Sequence, residues 1–253
     1  MSDIKLVLSD VDGTLVQLQK HEVSEAVREA VIAAENAGVE VVPVTGRPFE
    51  MGQPVFEVLG FDGHCVVDNG ASIHEVTTGK LVWSCWLDVE TIRQIVAILL
   101  PHSTSMDYAV KWEEHVPDPA VEMSLVKDAA PYVFSFLPKD AMPEVEAALA
   151  KIPNITISVD GHSTDRSLMA IQVTNIQASK FHGVEALREL NNTKLEHTMA
   201  IGDGNNDLPL FQNAGLKIAM GNATDLLKAQ ADHIVGTIDE DGFAEAINRF
   251  VLS

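Results

Sequence analysis

An alternation of strand-like and helix-like segments stops after Gly70 and resumes at Lys180, and this single interruption constrains the fold more than any other feature. Residues 4–8, IKLVL, are a short apolar run that predicts a strand buried on both faces. Val23, Val27, Ala30, Val31 and Ala34 share one helical stripe over 23–37, and Gly38 ends it. A strand at 39–44, a helix near 48–59 and a strand at 65–68 complete a βαβαβ rhythm, the mark of a parallel sheet. Pro43 is awkward for a central strand, because it cannot donate to a ladder.

Between the two halves the pattern changes. Residues 71–76 and 80–83 flank Thr77-Thr78-Gly79 and read as a hairpin. A helix at 88–100, a strand near 104–112, an unassigned stretch at 113–130, a strand at 131–137, a helix at 140–151 and strands near 154–160 and 167–174 follow. From Lys180 the alternation returns as helix 180–191, strand 197–202, helix 207–213, strand 215–219, helix 223–230, strand 232–235 and helix 240–250. The expected architecture is α/β, with a Rossmann-like, doubly wound parallel-sheet core in two sequence segments, 1–83 and 178–253, and an inserted α+β cap at 84–177. A cap joined by two nearby hinges is expected to lie over the strand ends that carry the chemistry.

Charge excludes some partners. Lys and Arg number 17 against 37 Asp and Glu, a formal net charge of -20. Such a surface disfavours nucleic acid and anionic membranes. It also repels an anionic substrate, so a phosphate site needs local positive charge. Cys65 and Cys85 form neither a CxxC pattern nor a zinc spacing and read as reduced, structural thiols. The N-terminus is too polar for a signal peptide, and Ile95 to Leu100 is too short to span a bilayer. A cytoplasmic protein is expected, in which the Asn-x-Thr triplets at Asn154, Asn191 and Asn222 carry no glycan.

Four short motifs carry candidate chemistry. Asp10-Val11-Asp12-Gly13-Thr14-Leu15 follows the first strand. Two carboxylates two residues apart at an extended strand end point the same way. They are costly together unless a cation or a proton separates them. The plainer alternative is an ordinary Asp-Gly turn. Gly202-Asp203-Gly204-Asn205-Asn206-Asp207 follows a later strand and offers the hard oxygen donors that suit magnesium, with Asp207 also placed to cap the next helix. Thr45-Gly46-Arg47, at the end of the second strand, offers a hydroxyl and backbone amides to a phosphoryl oxygen. Lys180 opens the helix where the core resumes. Taken singly, the last two are no more than a turn and a surface lysine.

Together and in this order the four resemble the haloacid dehalogenase superfamily, and more narrowly its Cof-type sugar-phosphatase branch with a large α+β cap (class IIB). Asp68-Asn69-Gly70-Ala71 before the cap and Met220-Gly221-Asn222-Ala223 after the fourth motif extend the likeness over the whole chain. Phe181 departs from it, standing where the branch usually has Gly. The resemblance implies a Mg2+-dependent phosphatase acting on small phosphorylated metabolites, sugar phosphates foremost. It makes Asp10 the nucleophile and a metal ligand, and Asp12 the general acid and base whose backbone carbonyl also binds the metal. It gives Thr45, Gly46, Lys180 and Asn206 to the phosphoryl group, and Asp203 and Asp207 to the metal. Arg47 and Asn69 become supporting residues or substrate contacts. A phosphomutase using the same motifs and a non-catalytic phosphometabolite sensor are the alternatives. The motifs do not specify oligomeric state or natural substrate. Nor do they distinguish His162 and Arg166, in the 161–166 loop, from ordinary surface groups.

Overall fold

The computed structural model describes residues 3–17, 23–107, 126–161 and 165–253. His162, the outer half of the strand expected at 104–112, and most of the stretch 113–130 lie outside the described residues. The chain forms two compact units, Met1–Ser84 with Ser179–Ser253, and Cys85–Ala178.

The first unit is built on five parallel strands: β1 (Leu6–Ser9), β2 (Glu40–Pro43), β10 (Thr198–Gly202), β11 (Leu216–Ala219) and β12 (His233–Ile234). Their order is β12-β11-β10-β1-β2, so the sequence-distant β10 lies beside β1. All four residues of β1 are buried, and so are all five of β10, which explains their uninterrupted apolar character. Helix α1 (Glu25–Asn36) buries Val27, Ala30, Val31 and Ala34 against this sheet, the stripe read from the sequence. Its Ser24 cap accepts a hydrogen bond from the Ala26 amide at 3.2 Å.

Pro43 is accommodated by alternation. Val44 donates to Ser9 in β1, and Thr45 donates to Val66 on the other side. Pro43 therefore faces the outer side, where pairing begins only one residue later.

Strand β3 (His64–Val67) departs from the expected parallel sheet. It touches β2 through one parallel bridge, Val44 with Val66, and then pairs antiparallel with β4 (Ser72–Glu75), which pairs with β5 (Leu81–Ser84). The hairpin folds back on β3 and captures its ladder. Helix α2 (Phe49–Leu59) lies between β2 and β3 in sequence.

The second unit is a four-stranded antiparallel sheet, β6 (Ser105–Asp107), β7 (Tyr132–Pro138), β9 (Leu168–Asn175) and β8 (Ile155–Gly161), in that order. Helices α3 (Val89–Leu99) and α4 (Met142–Leu149) pack on it through Ile92, Ile95, Leu99, Val145 and Leu149. Each such buried aliphatic side chain contributes about 2 kcal/mol.

The first unit closes with α5 (Lys180–Leu190), α6 (Leu208–Phe211), α7 (Asp225–Lys228) and α8 (Gly242–Phe250). Among the described residues no helix is long and apolar enough to cross a membrane.

Candidate active site

The site forms where the carboxyl ends of three adjacent strands, β10, β1 and β2, release their loops on one edge of the sheet. Asp10 leaves β1 with its amide still bonded to Ile201 of β10, at 3.0 Å. It is 5% exposed. Gly13 turns the chain with φ +93, and a Cβ there would sit 2.2 Å from Asp203 Oδ2. Only glycine admits both the turn and the approach of Asp203.

Lys180, 4% exposed at the start of α5, donates from Nζ to Asp10 Oδ1 and, at 2.8 Å, to Asp207 Oδ1. The other Asp207 oxygen accepts from the Asp203 and Gly204 amides at 3.0 and 2.9 Å. Asp207 therefore ties its own loop to Lys180 and does not take the capping role expected from the sequence; the following helix has no side-chain cap. Asn205–Asp207 form a 3-10 turn before it.

Asp10, Asp203 and Asp207 bring carboxylate oxygens within 4.8 Å of one another. Burial pushes Asp10 up to about 7; Asp207 and Asp203 add to the effect, and Lys180 opposes it. Burial, then Asp207, raises Asp203 to about 6, against a hydrogen bond from Thr14 at 3.4 Å. Burial disfavours the Lys180 ammonium, but Asp10 and Asp207 outweigh it and hold the group above its usual value. When ionised, three carboxylates face one ammonium, leaving two negative charges. An all-oxygen donor set with that residual charge fits a divalent hard cation such as Mg2+. Asp203 and Asp10 are the freer donors: the Asp203 oxygens accept only long hydrogen bonds, at 3.4 and 3.3 Å, and Lys180 engages one oxygen of Asp10, whereas both oxygens of Asp207 are held at 2.8 to 3.0 Å.

The remaining sequence candidates take other positions. The Asp12 carboxylate lies outside the acidic trio and is gripped by Arg47 at 2.8 and 2.5 Å. The buried Thr45 hydroxyl accepts from the Arg47 amide at 3.1 Å. Gly46 faces Asn69, whose Oδ1 would lie 2.7 Å from a Cβ at position 46. Asn206 is exposed beside Gly204.

One organising residue escaped the sequence reading. The Asn222 amide donates to Gly13 O at 2.9 Å and Asp203 Oδ2 at 3.3 Å, while its carbonyl accepts from Ile238 at 2.9 Å. It lies in the tetrad 220–223, which signals family likeness in the sequence but carries no role there.

The pattern of the haloacid dehalogenase-like hydrolases matches residues 7–117 and 101–247. The chain belongs to this family. Among similar proteins is the 5-amino-6-(5-phospho-D-ribitylamino)uracil phosphatase of Bacillus subtilis, 30% identical over 253 residues, covering 99% of this chain and 97% of that protein. The phosphoglycolate phosphatase of Methanothermobacter thermautotrophicus is 26% identical, covering 98% of this chain and 99% of that one. A solved subclass IIB sugar phosphatase of the same superfamily shares the fold with a TM-score of 0.70 at 24% identity, covering 97% of this chain and 98% of that one. Haloacid dehalogenase-like hydrolases generally use Mg2+, and an acidic trio that could hold such an ion is present here.

Proposed function

We propose that the chain hydrolyses phosphate monoesters of small metabolites, sugar phosphates foremost, through an aspartyl-phosphate on Asp10. The observation that carries this reading is Asp10 itself: a buried carboxylate at a strand end, held by Lys180 and facing Asp203 and Asp207. The names of its relatives support small substrates, a ribityl phosphate ester and phosphoglycolate among them. We assign selection among such esters to the inserted unit, residues 84–177.

In the first step an Asp10 oxygen attacks phosphorus and the bond to the leaving oxygen breaks. Asp12 gives that oxygen a proton, so an alcohol departs. In the second step water attacks the same phosphorus, Asp12 takes its proton, and the bond to Asp10 breaks to release inorganic phosphate. Lys180 offsets charge on the phosphoryl oxygens, and Thr45, Gly46 and Asn206 hold them. When bound at Asp10, Asp203 and the Asp12 carbonyl, Mg2+ supplies the positive charge that lets an anionic nucleophile approach a dianionic ester. Asp207 keeps Lys180 and the Asp203 loop in register.

The test is Asp10→Asn. Its shape is nearly unchanged, so the fold should persist while turnover of p-nitrophenyl phosphate and of a sugar-phosphate panel is almost entirely lost. Turnover near the wild-type rate would exclude Asp10 as the nucleophile. A panel on which a phosphorylated protein outperforms every small ester would overturn the substrate class.

A further inference from the structure

One short segment holds the start of α5 at two points. Asp207, at one end of residues 207–213, accepts from Lys180 Nζ at 2.8 Å. Asn213, at the other end, donates from Nδ2 to the backbone carbonyl of Phe181 at 3.0 Å. Helix α6 spans the interval. The segment therefore grips the ammonium through Asp207 and the first turn of α5 through Asn213. Gly70, in the 68–70 turn, lies so close to the same turn of helix that a Cβ would meet Ser179 O at 2.1 Å, and a Cβ at Gly183 would meet Gly70 O at 2.8 Å. The backbone that carries Lys180 has little room to shift there.

Asn213 is 2% exposed, and both ends of its amide are used. Its Oδ1 accepts from Nη1 of Arg188, in the last turn of α5, at 3.2 Å. A guanidinium can only donate, so Arg188 selects the amide orientation in which Nδ2 faces Phe181 O. Arg188 Nε is shut off from water and has no hydrogen-bond partner among the described residues. An unpaired buried donor is costly, so the inward turn of this side chain is held by its bond to Asn213. The plain reading is a buried asparagine that joins two helices and does nothing more. Its partner argues otherwise. Phe181 directly follows Lys180, and a bond to a backbone carbonyl fixes the course of the main chain at that point.

We propose that Asn213 is a positioning residue: by holding the Phe181 carbonyl it fixes the first turn of α5, and so the reach of the Lys180 ammonium to the phosphoryl oxygens. This deepens the phosphatase reading and rests on it. Asn213→Asp keeps the shape and the acceptor for Arg188 but has no amide to give Phe181 O. Asn213→Ala removes the same donor without adding charge. Arg188→Met removes the guanidinium and leaves the Asn213 amide in place.

Each variant leaves a buried group unpaired, so all three should melt lower than wild type. Binding of inorganic phosphate in the presence of Mg2+, measured by calorimetry well below each melting transition, separates positioning from stability. Steady-state kinetics on p-nitrophenyl phosphate run beside it. Both Asn213 variants should weaken phosphate binding about fivefold, part of the loss of a hydrogen bond to a charged group. They should lower kcat/KM by about tenfold to a hundredfold, the scale of a small displacement at a reacting centre. Arg188→Met should bind phosphate nearly as wild type does. Asn213 variants that melt lower yet keep wild-type phosphate affinity overturn the proposal, as does an equal loss of affinity in Arg188→Met. Failure of both Asn213 variants to fold would assign the residue to stability alone and overturn it too, and so would wild-type protein that binds no phosphate. Wild-type protein that binds phosphate but hydrolyses no ester would fail the phosphatase reading alone and leave the calorimetric comparison decisive for Asn213.

Discussion

Arg47 grips both carboxylate oxygens of Asp12, Nε to Oδ2 at 2.8 Å and Nη2 to Oδ1 at 2.5 Å. The side chains are 11% and 26% exposed, so the pair is mostly shielded from water. A guanidinium fork fixes a carboxylate's orientation as well as its position. Asp12 is the proposed proton donor and acceptor, so Arg47 aims it.

Arg47→Ala should therefore lower kcat for a sugar phosphate by about tenfold to a hundredfold, within the range of general acid catalysis. The loss should be smaller for p-nitrophenyl phosphate, whose leaving group needs little protonation. Arg47→Lys keeps the charge without the fork and should fall between. Equal losses on both esters would show that Arg47 does not act through Asp12.

Metal dependence should vary with pH in a direction the site dictates. Asp10 and Asp203 rise from 3.8 to about 7 and about 6. A carboxylate whose folded pKa exceeds its unfolded value makes a contribution to stability that falls as pH climbs between the two. Without a cation, these groups should weaken the fold as pH rises from about 4 to 7. A cation needs them ionised, so it competes with protons wherever the pH lies below about 7 and about 6, the values of Asp10 and Asp203. The Mg2+-induced rise in melting temperature should be small at about pH 5.5 and large at about pH 8, and Asp203→Ala should abolish it. Chelator should remove activity and Mg2+ restore it, with Ca2+ restoring little because its looser coordination can occupy both oxygens of Asp10. A thermal shift independent of pH would rule out these carboxylates as the ligands.

The sequence made the strand ends readable because β1 and β10 are buried throughout and end abruptly in Asp10 and Asp203. Pairing partners were not readable. The run His64–Val67 has no feature that distinguishes a parallel from an antiparallel neighbour, and the β4–β5 hairpin decided it. The Arg47–Asp12 contact spans 35 positions and exists only because β2 lies beside β1. Asp207 looked like a helix cap because asparagine and aspartate favour that position, yet two amides of its own loop and Lys180 claimed its oxygens first.

Two glycines separate backbone strain from steric contact. Gly38 has φ +79 and nothing within 4 Å of where an added methyl would lie, whereas at Gly70, φ +96, that methyl would meet Ser179 O at 2.1 Å and Lys180 N at 2.8 Å. Gly38→Ala should cost about 1 kcal/mol from left-handed strain alone. Gly70→Ala should cost more than about 3 kcal/mol, since backbone must also move, and should impair turnover by displacing Lys180. Denaturant melts and initial rates on both variants check this. Equal costs would mean that the contact between the 68–70 turn and α5 is loose.

Glu35 offers a titration remote from the chemistry. It sits in the last turn of α1, half-buried, with Oε1 lacking a hydrogen-bond partner among the described residues. Burial, then a hydrogen bond and charge from Asp62, push it from 4.5 up to about 8. The folded state thus holds a proton that the unfolded chain releases, and the contribution to stability declines as pH rises from about 4.5 through 8. Glu35→Gln presents a neutral amide of the same shape that can still donate to Asp62. At about pH 5 it should melt close to wild type. At about pH 9 it should melt about 2–4 °C higher, the equivalent of about 1 kcal/mol once solvent screening at a half-exposed site is allowed for. Melts of both proteins across that range decide the matter: a difference that stays constant with pH would show that Glu35 is ionised throughout, and that Asp62 does not share its proton.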